Sequence, residues 1–169
     1  MQPLMQPLMQ PGTPQQMEGG WLRWPGVLCH VEPGWIDGNR HLNMGYFLVA
    51  FDLQTDRLWA ELRLGAPFRA RGLTTFAVES WLDYRREMRE GDPIGCDCRV
   101  LRHDAKRLLV ESRMFHHAEG WESSSNESLY LCVDVATRRV SAWPEDMLAR
   151  FATLETGAEG RRLTLARRA

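Results

Sequence analysis

Apolar residues recur along this chain with two different periods, and the change between them divides it. Met44, Phe47, Leu48, Phe51, Leu58, Trp59 and Leu62 share one face of a 3.6-residue repeat. Val49, Ala50 and Leu53 widen that face, so the spacing predicts a helix buried over most of its girth. Gly65 and Pro67 are expected to stop it. Beyond them the period becomes two: Phe76, Val78, Leu82 and Tyr84 alternate with Ala77, Glu79, Trp81 and Asp83. Turn residues at 90–93, 103–105 and 119–120 separate three further strand-like stretches, 94–101, 108–115 and 127–135. A short strand over 27–31 precedes the helix, and Trp143-Pro144-Glu145-Asp146 opens a short terminal helix, with proline at a tolerated early position. Strands joined by short turns pair antiparallel. The order predicts an α+β protein, one antiparallel sheet wrapped around one long buried helix.

Composition narrows the partners. Residues 1–16 repeat Met-Gln-Pro-Leu with a proline in each copy, which removes backbone donors and predicts an unstructured tail reaching residue 20. One domain is expected over 21–157, with a flexible C-terminal tail over 158–169. A hydrophobic content of 44% and a charged content of 25% are those of an ordinary globular domain. A net charge of -1 leaves no electrostatic footprint for nucleic acid. No apolar run is long enough to span a bilayer, and no secretory leader pattern opens the chain, so a cytoplasmic location is expected. The four cysteines, Cys29, Cys96, Cys98 and Cys132, fit no zinc spacing and read as thiols in a reducing compartment.

The candidate chemistry lies immediately before the long helix. Trp35-Ile36-Asp37-Gly38-Asn39-Arg40-His41-Leu42-Asn43 concentrates one carboxylate, one imidazole and two carboxamides. Backbone N–H groups at a helix start are unpaired and carry partial positive charge, so they can polarise a carbonyl. A carboxylate beside them can attack that carbonyl or activate water. The N–H groups near Met44 and Gly45 are therefore candidate donors to an oxyanion. Asn43 is best explained as the helix N-cap. Gly45 either opens a close approach for a ligand or fits tight helix–sheet packing.

Asp37-x-Asn39-x-His41-x-Asn43, followed by Tyr46 and an apolar helix, resembles the signature of hot-dog-fold acyl thioesterases. These include the 4-hydroxybenzoyl-CoA thioesterase-like proteins and the plant acyl-carrier-protein thioesterases. Thr75-Phe76-Ala77-Val78-Glu79 and His103-Asp104-Ala105-Lys106-Arg107-Leu108 resemble segments of betainyl-CoA thioesterases, the hot-dog domains associated with carnitine breakdown in bacteria. The likeness runs from about residue 27 to 150, with Arg40 standing where the family has glycine before the histidine.

The resemblance implies a hot-dog fold and hydrolysis of a small or medium acyl-CoA, betainyl-CoA among the candidates, to free acid and coenzyme A. It implies Asp37 as nucleophile or base, with Asn39 and His41 orienting the reacting groups. Glu79 joins the site if its strand face turns toward the helix. Glu87, in Tyr84-Arg85-Arg86-Glu87, is similar to a glutamate near the site of the acyl-carrier-protein enzymes, although a charged strand end is usually a solvated face. Lys106 and Arg107 are candidates for the phosphates of coenzyme A, or else a charged hairpin rim. Trp35, Trp59, Trp81 and Tyr46 supply either plain core or an aromatic cage for a trimethylammonium group. No metal or cofactor is implied, coenzyme A being part of the substrate. A homodimer, or a tetramer, with sites at the interface is expected. Two other readings are a hot-dog acyl-thioester dehydratase, in which His41 takes the proton, and a non-catalytic acyl-CoA-binding domain.

Overall fold

The sheet is antiparallel throughout, and its strands do not pair in chain order. The computed structural model describes residues 12–165. Its elements are β1 (Gln15–Gln16), β2 (Leu22–Arg23), β3 (Cys29–His30), α1 (Met44–Leu62), α2 (Ala66–Arg69), β4 (Leu73–Tyr84), β5 (Pro93–His103), β6 (Arg107–His116), β7 (Glu122–Asp134) and α3 (Glu145–Leu154). The strand order is β1-β2-β5-β6-β7-β4, with β3 paired to the start of β5. The long strands β5, β6 and β7 form the meander that alternation predicts. β4 lies outside them, against β7, at one edge.

α1 packs on one face of this sheet. Its first half buries Phe47, Ala50 and Phe51 against Ile94, Cys96 and Met114. Its second half buries Leu58 and Leu62 against Val100, Val110 and Cys132, with Met147 and Phe151 of α3 closing that end. The helix stops earlier than Gly65. Arg63 adopts the left-handed conformation (φ 58), and the N–H of Leu64 donates to the Trp59 carbonyl at 2.8 Å. The apolar girth is also less completely covered than the spacing predicts. Met44 is 68% exposed, Leu48 45% and Val49 42%, which leaves a bare apolar flank on the single chain.

Both expected tails are partly built into the fold. The repeat at residues 1–11 lies outside the described residues. Gln15 and Gln16 pair with β2, and Trp21 lies between the guanidiniums of Arg99 and Arg113 on the sheet face turned away from α1. At the other end, Glu127 of β7 accepts the backbone N–H groups of Arg161 (2.7 Å), Arg162 (2.9 Å) and Leu163 (2.8 Å). Leu163 packs on Leu101, Leu109 and Leu129. Residues 158–165 are thus docked, because a buried carboxylate needs donors and finds them in that backbone.

Candidate active site

The polar cluster folds into a closed loop before α1. Ile36 and Leu42 bridge across it, and the N–H of Asp37 donates to the His41 carbonyl at 2.9 Å. The loop is tied to its surroundings at two points. The N–H of Leu42 donates to Met88 (2.8 Å), and that of Asn43 to Trp35 (2.9 Å). Closing so short a loop forces Arg40 into the left-handed region (φ 64). That is the position where the resembled family carries glycine, and the backbone geometry gives the reason.

Within this loop Asp37 is half-buried. Its Oδ1 accepts the N–H of Asn39 at 2.8 Å and that of His41 at 3.4 Å. Both donors converge on one oxygen, so the other is left for a ligand or water. A cleft of about 420 Å³ opens there, lined by Asp37, Asn39, His41, Met44, Tyr84 and Glu87, among others. Nε2 of His41 lies 2.9 Å from Oε2 of Glu87. The structure therefore brings Asp37, Asn39 and His41 together at the start of α1, and adds Glu87. Glu87 follows β4 on the exposed side, so its pattern looks like any solvated strand end, and only the fold reveals its partner. Tyr84 closes another wall: its ring meets Phe47 edge-on at 5.1 Å and its hydroxyl donates to the Met44 carbonyl at 3.4 Å.

The helix start carries one correction. Asn43 is the N-cap, and its Oδ1 accepts the N–H of Gly45 at 3.0 Å. The same N–H cannot also serve an oxyanion while that cap is made, so Gly45 loses the donor role. The N–H of Met44 has no acceptor among the described residues and faces the cleft end of the helix. The packing reading of Gly45 falls as well: a Cβ there would meet no atom of the sheet within 4 Å.

A loop carboxylate thus stands beside the start of a helix held against an antiparallel sheet. Residues 31–151 match the family model described as the thioesterase-like superfamily. The chain belongs to this family. Membership makes it a thioester hydrolase of hot-dog fold. It is 30% identical over 125 residues to a betainyl-CoA thioesterase of Pseudomonas aeruginosa, covering 73% of this chain and 79% of that protein. It is also 30% identical to an L-carnitine dehydrogenase/betainyl-CoA thioesterase of Agrobacterium fabrum, covering 78% of this chain but only 27% of that longer protein. A Staphylococcus aureus protein solved in complex with CoA superposes with a TM-score of 0.65 at 22% identity, over 81% of this chain and 87% of that one.

The remaining predicted site residues of this thioesterase-like chain stand apart from Asp37 within the single chain. Glu79 is exposed on edge strand β4, just past the bulge at Val78, and does not line the cleft. Lys106 and Arg107 lie beyond the His103 end of β5, whereas the Asp37 loop is tied to the segment preceding Pro93, at the other end. Arg107 is committed besides: its Nε donates to Asp104 at 2.7 Å, and Asp104 also accepts the N–H groups of Lys106 and Arg107. The four aromatics do not form a cage. Trp35 stacks on Tyr46 at 5.3 Å, Trp59 meets Tyr130, and Trp81 lies under Arg161 and Arg162. Among the described residues no cluster of three His, Cys, Asp or Glu side chains is arranged to hold a metal, and no helix is long and apolar enough to cross a membrane.

Proposed function

We propose that this chain hydrolyses a small or medium acyl-CoA to the free acid and coenzyme A at the cleft before α1, working as a homodimer in a reducing compartment. The observation that carries this reading is Asp37. It lines an open cleft at the first turn of a held helix, with one carboxylate oxygen anchored by two N–H groups and the other without a hydrogen-bond donor among the described residues. That oxygen adds to the thioester carbon, or removes a proton from the water that does. The Met44 N–H and the positive helix end stabilise the charge that develops on the carbonyl oxygen. Collapse of the tetrahedral state breaks the carbon–sulfur bond and expels the thiolate, which takes up a proton; where Asp37 itself has added, water then hydrolyses the resulting anhydride to the free acid and restores the carboxylate. His41, steadied by Glu87, and Asn39 orient water beside Asp37.

Two features support the homodimer. β4 presents a free strand edge, and Phe76 and Val78 on it are exposed along with Leu48 and Val49 of α1. A second copy seated there would cover both. The sheet face turned away from α1 carries Trp21, over Arg99 and Arg113, and the docked segment 158–165 of the same chain. The four cysteines are all unpaired thiols, as a reducing compartment would keep them.

The test is thiol release by the purified full chain from a panel of acyl-CoAs, betainyl, short branched, aromatic and fatty, with product analysis. The expected result is free acid and coenzyme A in equal amounts from at least one ester. An intact thioester converted to an enoyl product would replace hydrolysis by dehydration. No conversion of any ester would end the catalytic reading.

A further inference from the structure

A second cavity, of about 320 Å³, opens on the other side of the same helix start, between α1 and strands β4 and β7. Met44 and Phe47 line the Asp37 cleft, while Gly45 and Leu48, one position on from each, line this cavity. The missing side chain at Gly45 leaves the wall between them low. A thioester carbonyl held at the helix start would direct its acyl group here.

The lining is mixed, apolar side chains being interrupted by hydroxyls and one carboxylate. Leu48, Val49, Phe51 and Ala77 supply apolar walls, and polar groups stand among them. The Thr55 and Tyr130 hydroxyls lie 3.3 Å apart, and Ser128 donates to Asn126 at 2.8 Å. Asp52 stands at the rim, where no ion pair engages it among the described residues and no Lys, Arg or His lines the cavity. Burial pushes the Tyr130 hydroxyl's pKa up, hydrogen bonds to Thr55 and Ser128 oppose this, and Asp52 adds a smaller push upward. Apolar walls with one carboxylate at the rim and no cation beside it disfavour an anionic acyl group and favour one that is apolar in body yet bears positive charge, and a volume of about 320 Å³ suits a short one. With the aromatic cage excluded by the ring positions, this carboxylate and the face of Tyr130 are the groups that can recognise such a charge.

We propose that this cavity holds the acyl group, and that Asp52 is the specificity-determining residue that selects a short cationic acyl group over its neutral isostere. The proposal rests on the thioester-hydrolase reading of the Asp37 cleft. Leu48 and Val49 belong also to the flank assigned to the second copy, so the partner would roof the cavity and exclude water from it.

The experiment compares kcat/KM for two esters of one shape, betainyl-CoA and 3,3-dimethylbutanoyl-CoA, which differ only by nitrogen for carbon and hence by one charge. Taking the ratio within one preparation cancels losses in folding or assembly. Wild type is expected to prefer the cationic ester, and Asp52→Asn to reduce that ratio by about tenfold, the effect of one unit charge met at ~5 Å in partly hydrated surroundings. Asp56→Asn, one helical turn on and outside the cavity, is the control and should leave the ratio as in wild type. An unchanged ratio in Asp52→Asn, or an equal loss in Asp56→Asn, overturns the assignment of Asp52 while hydrolysis stands. Failure to release thiol from either of these two esters, with release from others in the panel, overturns the proposed acyl class.

Discussion

Arg40 pays a conformational cost that its neighbours impose. A non-glycine residue in the left-handed region is disfavoured by about 1–2 kcal/mol, because Cβ crowds the following carbonyl. Glycine would remove that cost but add freedom to the unfolded chain, worth roughly 0.5–1 kcal/mol. Arg40→Gly is therefore expected to stabilise the protein by up to about 1 kcal/mol, seen as a rise in Tm of roughly 2–4 °C. A fall in Tm would mean that the Arg40 side chain makes a compensating contact. At this scale the sequence is legible where chemistry is concentrated. Asp37, Asn39 and His41 stand close along the chain, and a tight loop keeps them close in space. Glu87 is ambiguous in the sequence because its partnership with His41 spans 46 positions and follows from the fold, not from a local period. At Gly45 the cap and an oxyanion compete for a single N–H, a competition that spacing along the chain does not display.

The elements were legible in proportion to how far their own residues determine them. α1 and the β5–β6–β7 meander follow from apolar spacing. β7 starts at Glu122, earlier than the stretch from 127 that alternation suggests, because Ser123, Ser124, Ser125 and Asn126 carry no apolar alternation. They hold strand geometry because their polar groups are satisfied across the sheet: Ser123 donates to the Arg86 carbonyl, and Ser125 donates its hydroxyl and its N–H to Asp83. The docked C-terminal segment was not legible at all, since its anchor, Glu127, lies more than 30 positions away. Gly160 belongs to that anchor, for a Cβ there would collide with the Leu163 carbonyl and the Glu127 carboxylate. Glu127→Ala removes the acceptor for three N–H groups and is expected to cost about 3 kcal/mol, since hydrogen bonds to buried charge are among the stronger ones. Hydrogen exchange should locate the loss, with amides 161–163 exchanging faster than in wild type. Unchanged protection there would show that Leu163 packing alone holds the segment.

For the whole molecule, the separation of Lys106 and Arg107 from Asp37 and the bare flank of α1 belong together. Both are properties of one chain considered without a second. A homodimer built on the β4 edge and the α1 flank would bury Leu48, Val49 and Val78, and would close the acyl cavity. Sedimentation should accordingly give twice the 19.5 kDa chain mass. Val78→Lys, a charge on the exposed edge, should shift the protein toward the single-chain mass and lower its activity with it. A protein that sediments as one chain, fully active, would remove the interface from the account.

The most direct measurement of the central claim is steady-state thiol release by Asp37→Asn from the best ester of the panel, with circular dichroism and mass by sedimentation run alongside. Asparagine keeps the acceptor for the Asn39 and His41 N–H groups but cannot attack the carbonyl or take a proton. The account predicts an intact fold, an unchanged assembly, and a kcat reduced by about 10²–10⁴. A variant that releases thiol at the wild-type rate would contradict it.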